Sequence, residues 1–452
     1  MNNFQIAALL SKVTFSNAEK EQAASYLKNI SNDTVAQEKF FNYCKIWKLA
    51  PWICSQLKKH NLFHLLSANI QQQFSEIHLK IKDENEKRNQ EAVRFLKKFK
   101  EENIDVIVLK GNLFAHTVYQ ETGYKRMNDF DILIRQENWE KVQDIYFSLG
   151  YIPLGFGWSG EKQKVAKFSH VGMSFISPGY TCIVGTQWGL KSPTTNFNVP
   201  IEEAWKTARD FNFNGVIVKQ LSPTFNILHL ILHMGIYKCG IRDLMDVYNV
   251  LITSEVDEDE LIRLIQKSNT VNKAYFTFHL SNICSPSFKS ILNKLSPQRN
   301  SFTIRRLKKR LLVNELTGDI HNSYNDYFQD VEKIVIYFNL FPQFHKKLFF
   351  YFKILKSIYL PKMETSLKLI DKADQASIIN ITEARIKAPY FVFSLIAQEI
   401  GWKFTILLFL KLFVDLLLSF KNYFIKKESY FDYLRKRGID PKIIEKVVKN
   451  IQ

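Results

Sequence analysis

Glycine and proline are scarce in this chain, at 16 and 12 of 452 residues. An all-β fold needs frequent turns, so this shortage argues against one. Long helices with short connections are expected instead. The five cysteines (Cys44, Cys54, Cys182, Cys239 and Cys284) are an odd number without CxxC spacing. They make neither a disulfide framework nor a zinc site, and a reducing compartment is expected. The opening residues, MNNFQIAALLSK, lack the basic start and cleavage site of a signal peptide. The expected location is the cytoplasm, either free or peripherally on the inner membrane. No internal repeat or low-complexity segment is visible.

Negative charge is also in short supply. There are 44 Asp and Glu against 62 Lys and Arg, a formal net charge of +18. Such a surplus suits an anionic partner: a nucleotide, a nucleic acid, an acidic polymer or an anionic membrane surface. From Ser301 onward the balance is 26 against 15. That excess reads equally as a solvated basic surface or as a binding patch. A nucleic-acid interface would rest on charge alone, because no aromatic-basic strand motif accompanies it.

Hydrophobic residues make up 46% and charged residues 23%, an ordinary globular mixture. The length allows two or three domains. Residues 1–103 read as a helical scaffold. Phe41, Tyr43, Trp47, Leu49 and Trp52 gather around Pro51, and Ile77, Ile81, Val93, Leu96 and Phe99 recur at roughly helical spacing. Residues 104–220 carry the strand signals: Ile104–Leu109, Phe130–Ile134, Gly172–Ser177, Thr181–Thr186 and Val216–Lys219. Helices are expected at Asn112–Gln120 and Glu137–Leu149, the latter ended by Gly150. The loop Gly155–Gly160 reads as a connection, or as a lid over a ligand. The fold class is therefore α+β, a small mixed sheet within helical N- and C-terminal regions.

Residues 221–330 return to helix. His229 and His233 stand at i, i+4 within Phe225–Tyr237, a spacing able to bind a metal. With no third ligand and no HExxH pattern, they read as core or hydrogen-bonded histidines. Arg242, Asp243 and Asp246 share or nearly share a helix face; Arg242 reads equally as a triphosphate ligand or as an internal ion-pair partner. Residues 331–452 are basic, aromatic and helical. Their Phe404–Phe420 stretch approaches the length of a membrane span, but Lys411 and Asp415 interrupt it. We expect a nearly buried bundle helix with Lys411 and Asp415 paired. The alternative is a helix lying in a membrane surface.

The richest stretch runs from Lys110 to Arg135. An apolar run, Val106 to Leu109, turns at Lys110-Gly111 into a short helix, and the stretch ends in Asp129-Phe130-Asp131 within a second apolar strand. Carboxylates two apart on a strand face the same side and can reach one metal ion. Hard Mg²⁺, or Mn²⁺, suits them. A glycine turn opening a helix brings backbone N–H groups to a phosphate. Asn112 could donate to that phosphate, and Lys110 and Arg126 could add positive charge. The pattern points to metal-dependent nucleotidyl transfer.

These residues also carry a resemblance. Leu109-Lys110-Gly111, the run from Arg126 to Ile134, and Leu149-Gly150-Tyr151 resemble the bacterial uncharacterised nucleotidyltransferase family of the DNA polymerase β-like superfamily. The similarity continues in Glu202–Ala208, in Leu228–His233 and in Arg242–Asp246, covering most of residues 40–255. It implies a mixed sheet of nucleotidyltransferase topology, Mg²⁺ on Asp129 and Asp131, and phosphate contact at Gly111. Two departures stand out. The superfamily's turn is commonly Gly-Ser or Gly-Gly, and here it is Gly111-Asn112. Its later strand often bears a third acid, and aligning at Trp188 puts Gly185 in the acid's place and Gln187 in that of a histidine. His170 is then an alternative base or a structural histidine. The function expected is transfer of an NMP from an NTP to an acceptor hydroxyl of a sugar, protein or RNA. The alternative is a degenerate nucleotide-binding or scaffold protein.

Overall fold

The computed structural model of the chain describes residues 1–154, 169–193, 195, 197–234, 240–295, 344–361, 366–367, 377–400, 402–424, 434–436 and 438–442. The loop Gly155–Gly160 and the end of the helix expected to reach Tyr237 lie outside them. The α+β expectation holds: a seven-stranded mixed sheet sits among helices.

The sheet is built around β1 (Val106–Val108) and β2 (Phe130–Ile134), whose residues are all buried. They pair antiparallel, Ile107 opposite Leu133. β3 (Ile152–Pro153), β4 (Phe175–Ile176) and β5 (Ile183–Gln187) extend the β2 side, and β5 runs parallel to β2 with Asp131 opposite Gly185. β6 (Arg209–Phe213) and β7 (Val216–Gln220) extend the other side, with β7 parallel to β1. The expected strand at Gly172–Ser177 shrinks to two residues, joined by a bridge from Val171 to Gln187. β6 was not foreseen. It forms a hairpin with β7 through Asn214-Gly215, whose φ values of 46° and 89° are those of a tight hairpin turn.

The helix α5 (Ala68–Glu101) contains neither Gly nor Pro over 34 residues. Its lower half packs Phe95 edge-on against Phe130 at 5.6 Å and against Tyr146 at 5.8 Å. Because strand side chains alternate, Phe130 facing this aromatic cluster sends Asp131 to the opposite face of the sheet. The buried stripe of α5 differs from the expected one. Ile77, Ile81 and Val93 are half-buried, while His78, Asn85, Arg88 and Asn89 are buried. The reason is a polar contact. Asn85 Nδ2 donates to the carbonyls of Thr122 (2.6 Å) and Lys125 (2.8 Å), and its Oδ1 accepts from Met127 N–H (3.3 Å) and Arg88 (2.7 Å). One asparagine thus fixes the segment that leads to Asp129.

A second buried network fixes the same segment from the other side. It starts on α10 (Ile241–Thr253), which follows α6 (Lys110–Thr117), α7 (Trp139–Ser148), α8 (Ile201–Lys206) and α9 (Pro223–His233) in the chain. Asp246 is 2% exposed and accepts from Tyr119 Oη at 2.5 Å and Lys125 Nζ at 2.6 Å. Asn249, one turn on, bonds Tyr119 Oη, the Ser11 carbonyl and the Val13 N–H. The N-terminal helices, the sheet and α10 share one apolar core from Phe4 to Leu295.

A separate apolar cluster joins α14 (Phe344–Tyr359), α15 (Ile378–Ile400) and α16 (Trp402–Phe424), which follow α11 (Glu258–Lys267), α12 (Val271–Cys284) and α13 (Lys289–Leu295). The expectation of a nearly buried helix at Phe404–Phe420 is not met. α16 buries Thr405, Leu412 and Leu416 against its neighbours but exposes Leu410, Phe413, Val414 and Leu417. A helix apolar all round needs partners all round, and among the described residues only one side of it is covered.

Replacing Asp246 with Ala removes both acceptors and leaves the Lys125 ammonium buried without its counter-charge. We expect a loss of about 3–5 kcal/mol, read by chemical denaturation, and Asp246→Asn to recover part of it through the Tyr119 hydrogen bond. A cost below 1 kcal/mol for Asp246→Ala would show that this network is not structural.

Candidate active site

β1 is followed by Leu109, whose N–H donates to the Asp131 carbonyl at 3.1 Å. Lys110 follows with φ 52°, a left-handed conformation that costs a non-glycine residue about 1–2 kcal/mol. Its ammonium compensates by donating to Asp131 Oδ2 at 2.8 Å. α6 starts here, and no side chain caps its N-terminus. A Cβ on Gly111 would meet Lys125 Cε at 2.7 Å and Met127 Sδ at 2.8 Å. A side chain here would have to displace the ends of these two side chains, and the Tyr124 hydroxyl donates to the Gly111 carbonyl at 3.3 Å.

Asn112 is buried and donates through Nδ2 to the Asp129 carbonyl at 3.1 Å, while its Oδ1 has no hydrogen-bond partner. That amide was expected to meet a phosphate; here it steadies the backbone carrying the first carboxylate. Asp129 is exposed where it enters β2, and Asp131 is 8% exposed two residues on. Repulsion from Asp131, with desolvation second, pushes the Asp129 carboxyl up to about 6. Gln187 Nε2 donates to Asp131 Oδ1 at 3.4 Å.

Gly185 lies directly across from Asp131 on β5. A Cβ there would stand 2.5 Å from Asp131 Oδ1. The missing side chain leaves the space into which the Asp131 carboxylate turns. Among the described residues no group of three His, Cys, Asp or Glu could hold a metal ion. The two carboxylates nonetheless fit a hard divalent cation. Their mutual repulsion is only partly balanced by Lys110, and Mg²⁺ keeps waters in its remaining positions.

The other expected residues lie around this centre. Arg126 is exposed and pairs with Glu84 at 3.6 Å. Arg242 donates to Asp243 at 3.0 Å, the internal ion pair that its sequence context allowed, and its Nε has no hydrogen-bond partner. His229 is buried and His233 exposed, so the i, i+4 pair is divided between core and surface. Residues that sequence reasoning left aside also approach. Arg88, buried on α5, feels the charge of Asp129. Lys191 donates to the Leu232 carbonyl at 3.0 Å, and its charge and that of Lys110 act on both His170 and His229. Desolvation first, then these two lysines, push His170 down to about 4, so it is neutral at pH 7. The polar interruption of α5 at Asn85, Arg88 and Asn89 was the one signal that could have pointed to Arg88.

A family model described as uncharacterised nucleotidyltransferase matches residues 33–285, more than half of the chain. The chain belongs to this nucleotidyltransferase family. The match runs from the N-terminal helices through α12 and so takes in the whole sheet, Lys110 to Asp131, and the Asp246 network. No curated protein matches the chain.

The raised Asp129 carboxyl has a consequence for stability. Its ordinary value is 3.8, so the folded state holds the proton more tightly than the unfolded chain. Ionising Asp129 therefore costs stability, with no cost below pH 4 and the full cost above pH 6. Asp129→Asn should stabilise this nucleotidyltransferase in chelator at pH 8 and not at pH 4. Solvent screening of the exposed group limits the gain to about 1 kcal/mol. Thermal melts at the two pH values test this; a loss at pH 8 would contradict it.

Proposed function

We propose that this protein transfers a nucleoside monophosphate from an NTP to an acceptor hydroxyl, with Mg²⁺ held by Asp129 and Asp131. The observation that carries the reading is the pair of repelling carboxylates, Asp129 at the entrance of β2 and Asp131 on it, next to the uncapped start of α6. Bound Mg²⁺, or Mn²⁺, would neutralise the triphosphate and align it for in-line attack. The first turn of α6, opened by Lys110, Gly111 and Asn112, presents backbone N–H groups to phosphate oxygens. Lys110 reaches Asp131 in the structure, and its ammonium would add positive charge beside the triphosphate. The acceptor oxygen attacks the α-phosphorus, the bond to the bridging oxygen breaks, and pyrophosphate leaves. His170, neutral and near Asp131, can take the acceptor's proton. It is a weak base until an anion nearby raises it.

A second reading is a nucleotide-binding or scaffold protein without turnover. The observation favouring it is Gly185, where an acid would stand beside Asp131, together with the lysine already bonded to that carboxylate.

One experiment separates the two. The protein is incubated with labelled NTPs, Mg²⁺ or Mn²⁺ and cell extract, alongside Asp129→Ala/Asp131→Ala. Label transfer lost by more than about a hundredfold in the double variant supports transfer. Metal-independent NTP binding that survives the substitutions, without any transfer, would leave only the binding role.

Gly185→Asp supplies a third carboxylate after a small swing of Asp131. It should tighten Mn²⁺ binding by roughly tenfold, about 1.4 kcal/mol, as measured by calorimetry. Weaker binding would mean that the space opposite Asp131 is needed by Asp131 itself.

A further inference from the structure

The helices α14 and α16 each turn apolar side chains outward. On α16, Leu407, Leu410, Val414 and Leu417 follow one another at three- and four-residue spacing, each about half exposed. They occupy one broad arc of the helix, opposite Leu412 and Leu416, which pack against α14 and α15. On α14, Phe349, Phe352 and Tyr359 are exposed among Lys353 and Lys356, with Lys353 Nζ 4.5 Å from the Phe349 ring centre. Soluble monomers rarely leave a contiguous apolar surface of this kind open.

Charge selects among the occupants. The residues of α14, α15 and α16 include nine Lys and Arg against three Asp and Glu. Pairing this surface with a second copy would bring like charges together, which is unfavourable. Branched aliphatic and aromatic side chains interleaved with long lysines suit a bilayer interface. There the rings and methyl groups enter the acyl boundary, and the ammonium groups reach anionic headgroups. Among the described residues no helix is long and apolar enough to cross a membrane.

We propose that the outward faces of α14 and α16 form a docking surface for an anionic lipid bilayer, with both helices lying along it. The inference is independent of the chemistry at Asp129 and Asp131. Each lysine near an anionic surface strengthens binding about fivefold, and the apolar arc of α16 supplies the larger share.

Flotation of the full chain with vesicles tests the proposal. The vesicles are equal parts phosphatidylglycerol and phosphatidylcholine, compared with phosphatidylcholine alone. Wild type should float with the anionic vesicles and remain largely at the bottom with neutral ones. Leu410→Glu/Leu417→Glu should lose flotation by at least about tenfold, whereas Leu410→Met/Leu417→Met should keep it. If circular dichroism finds the Glu variant unfolded, Lys353→Glu/Lys356→Glu serves instead, with the same expected loss. Absence of wild-type flotation on anionic vesicles would overturn the proposal. So would equal flotation on neutral vesicles, or flotation undiminished in a folded variant. A wild-type dimer by light scattering that the Glu variant renders monomeric, without any flotation, would assign the surface to a second copy.

Discussion

The carboxylate of Asp246 is the contact on which the rest of the arrangement leans. It is buried, and its two oxygens take one hydroxyl and one ammonium. A buried carboxylate without such donors would be far too costly to keep ionised. Tyr119 and Lys125, its two partners, flank the segment between α6 and β2, and Asn85 grips the same segment from α5. Through Lys125 the pair also reaches the glycine turn, since Lys125 Cε stands where a side chain on Gly111 would be. The folding contact and the shape of the candidate phosphate site are therefore one construction.

Two glycines act through what they leave out. Gly111 admits Lys125 and Met127, letting the turn sit close over its support. Gly185 admits the Asp131 carboxylate. The parallel pairing of β2 and β5 makes the second case legible in structure, because paired residues on adjacent strands share a face. An acid at position 185 would add negative charge against Asp131 and call for a stronger cation between them. With glycine there, Lys110 supplies partial neutralisation and Gln187 a neutral donor. This gives a site of two carboxylates rather than three, in which the remaining repulsion falls on the more exposed Asp129.

The parts of this molecule most readable from sequence were those governed by local pattern. β2 occupies Phe130–Ile134 as its apolar run indicates, and Gly150, with φ 80°, follows the end of α7. Asp129 and Asp131 stood out because charge in an apolar strand is expensive. Less readable were features settled by distant partners. The polar face of α5 looks like an ordinary helix surface until Thr122, Lys125 and Met127 are brought against it. Arg242 had two equal readings, and its neighbour Asp243 is the partner observed. The Asn214-Gly215 hairpin carries a local turn signal, but its first strand alternates weakly, with exposed Arg209, Asp210 and Asn212 on β6. α16 misled for a different reason. Hydropathy measures the helix alone, whereas burial depends on how many neighbours surround it.

The positive surplus of the chain works at two ranges, and they respond differently to solvent. At the candidate site, Lys110 contacts Asp131 at hydrogen-bond distance in a partly buried setting, where added salt screens little. On α14 and α16 the exposed Lys353, Lys356 and Lys403 stand in water, and their attraction for an anionic surface extends only over a Debye length, about 10 Å at 0.1 M salt. Concentrated salt should weaken the second and leave the first nearly intact. The apolar arc of α16 would then carry what contact remained, since burial of hydrocarbon does not depend on screening. A surface built from both forces can hold at physiological ionic strength yet stay reversible, because neither part alone provides strong anchorage.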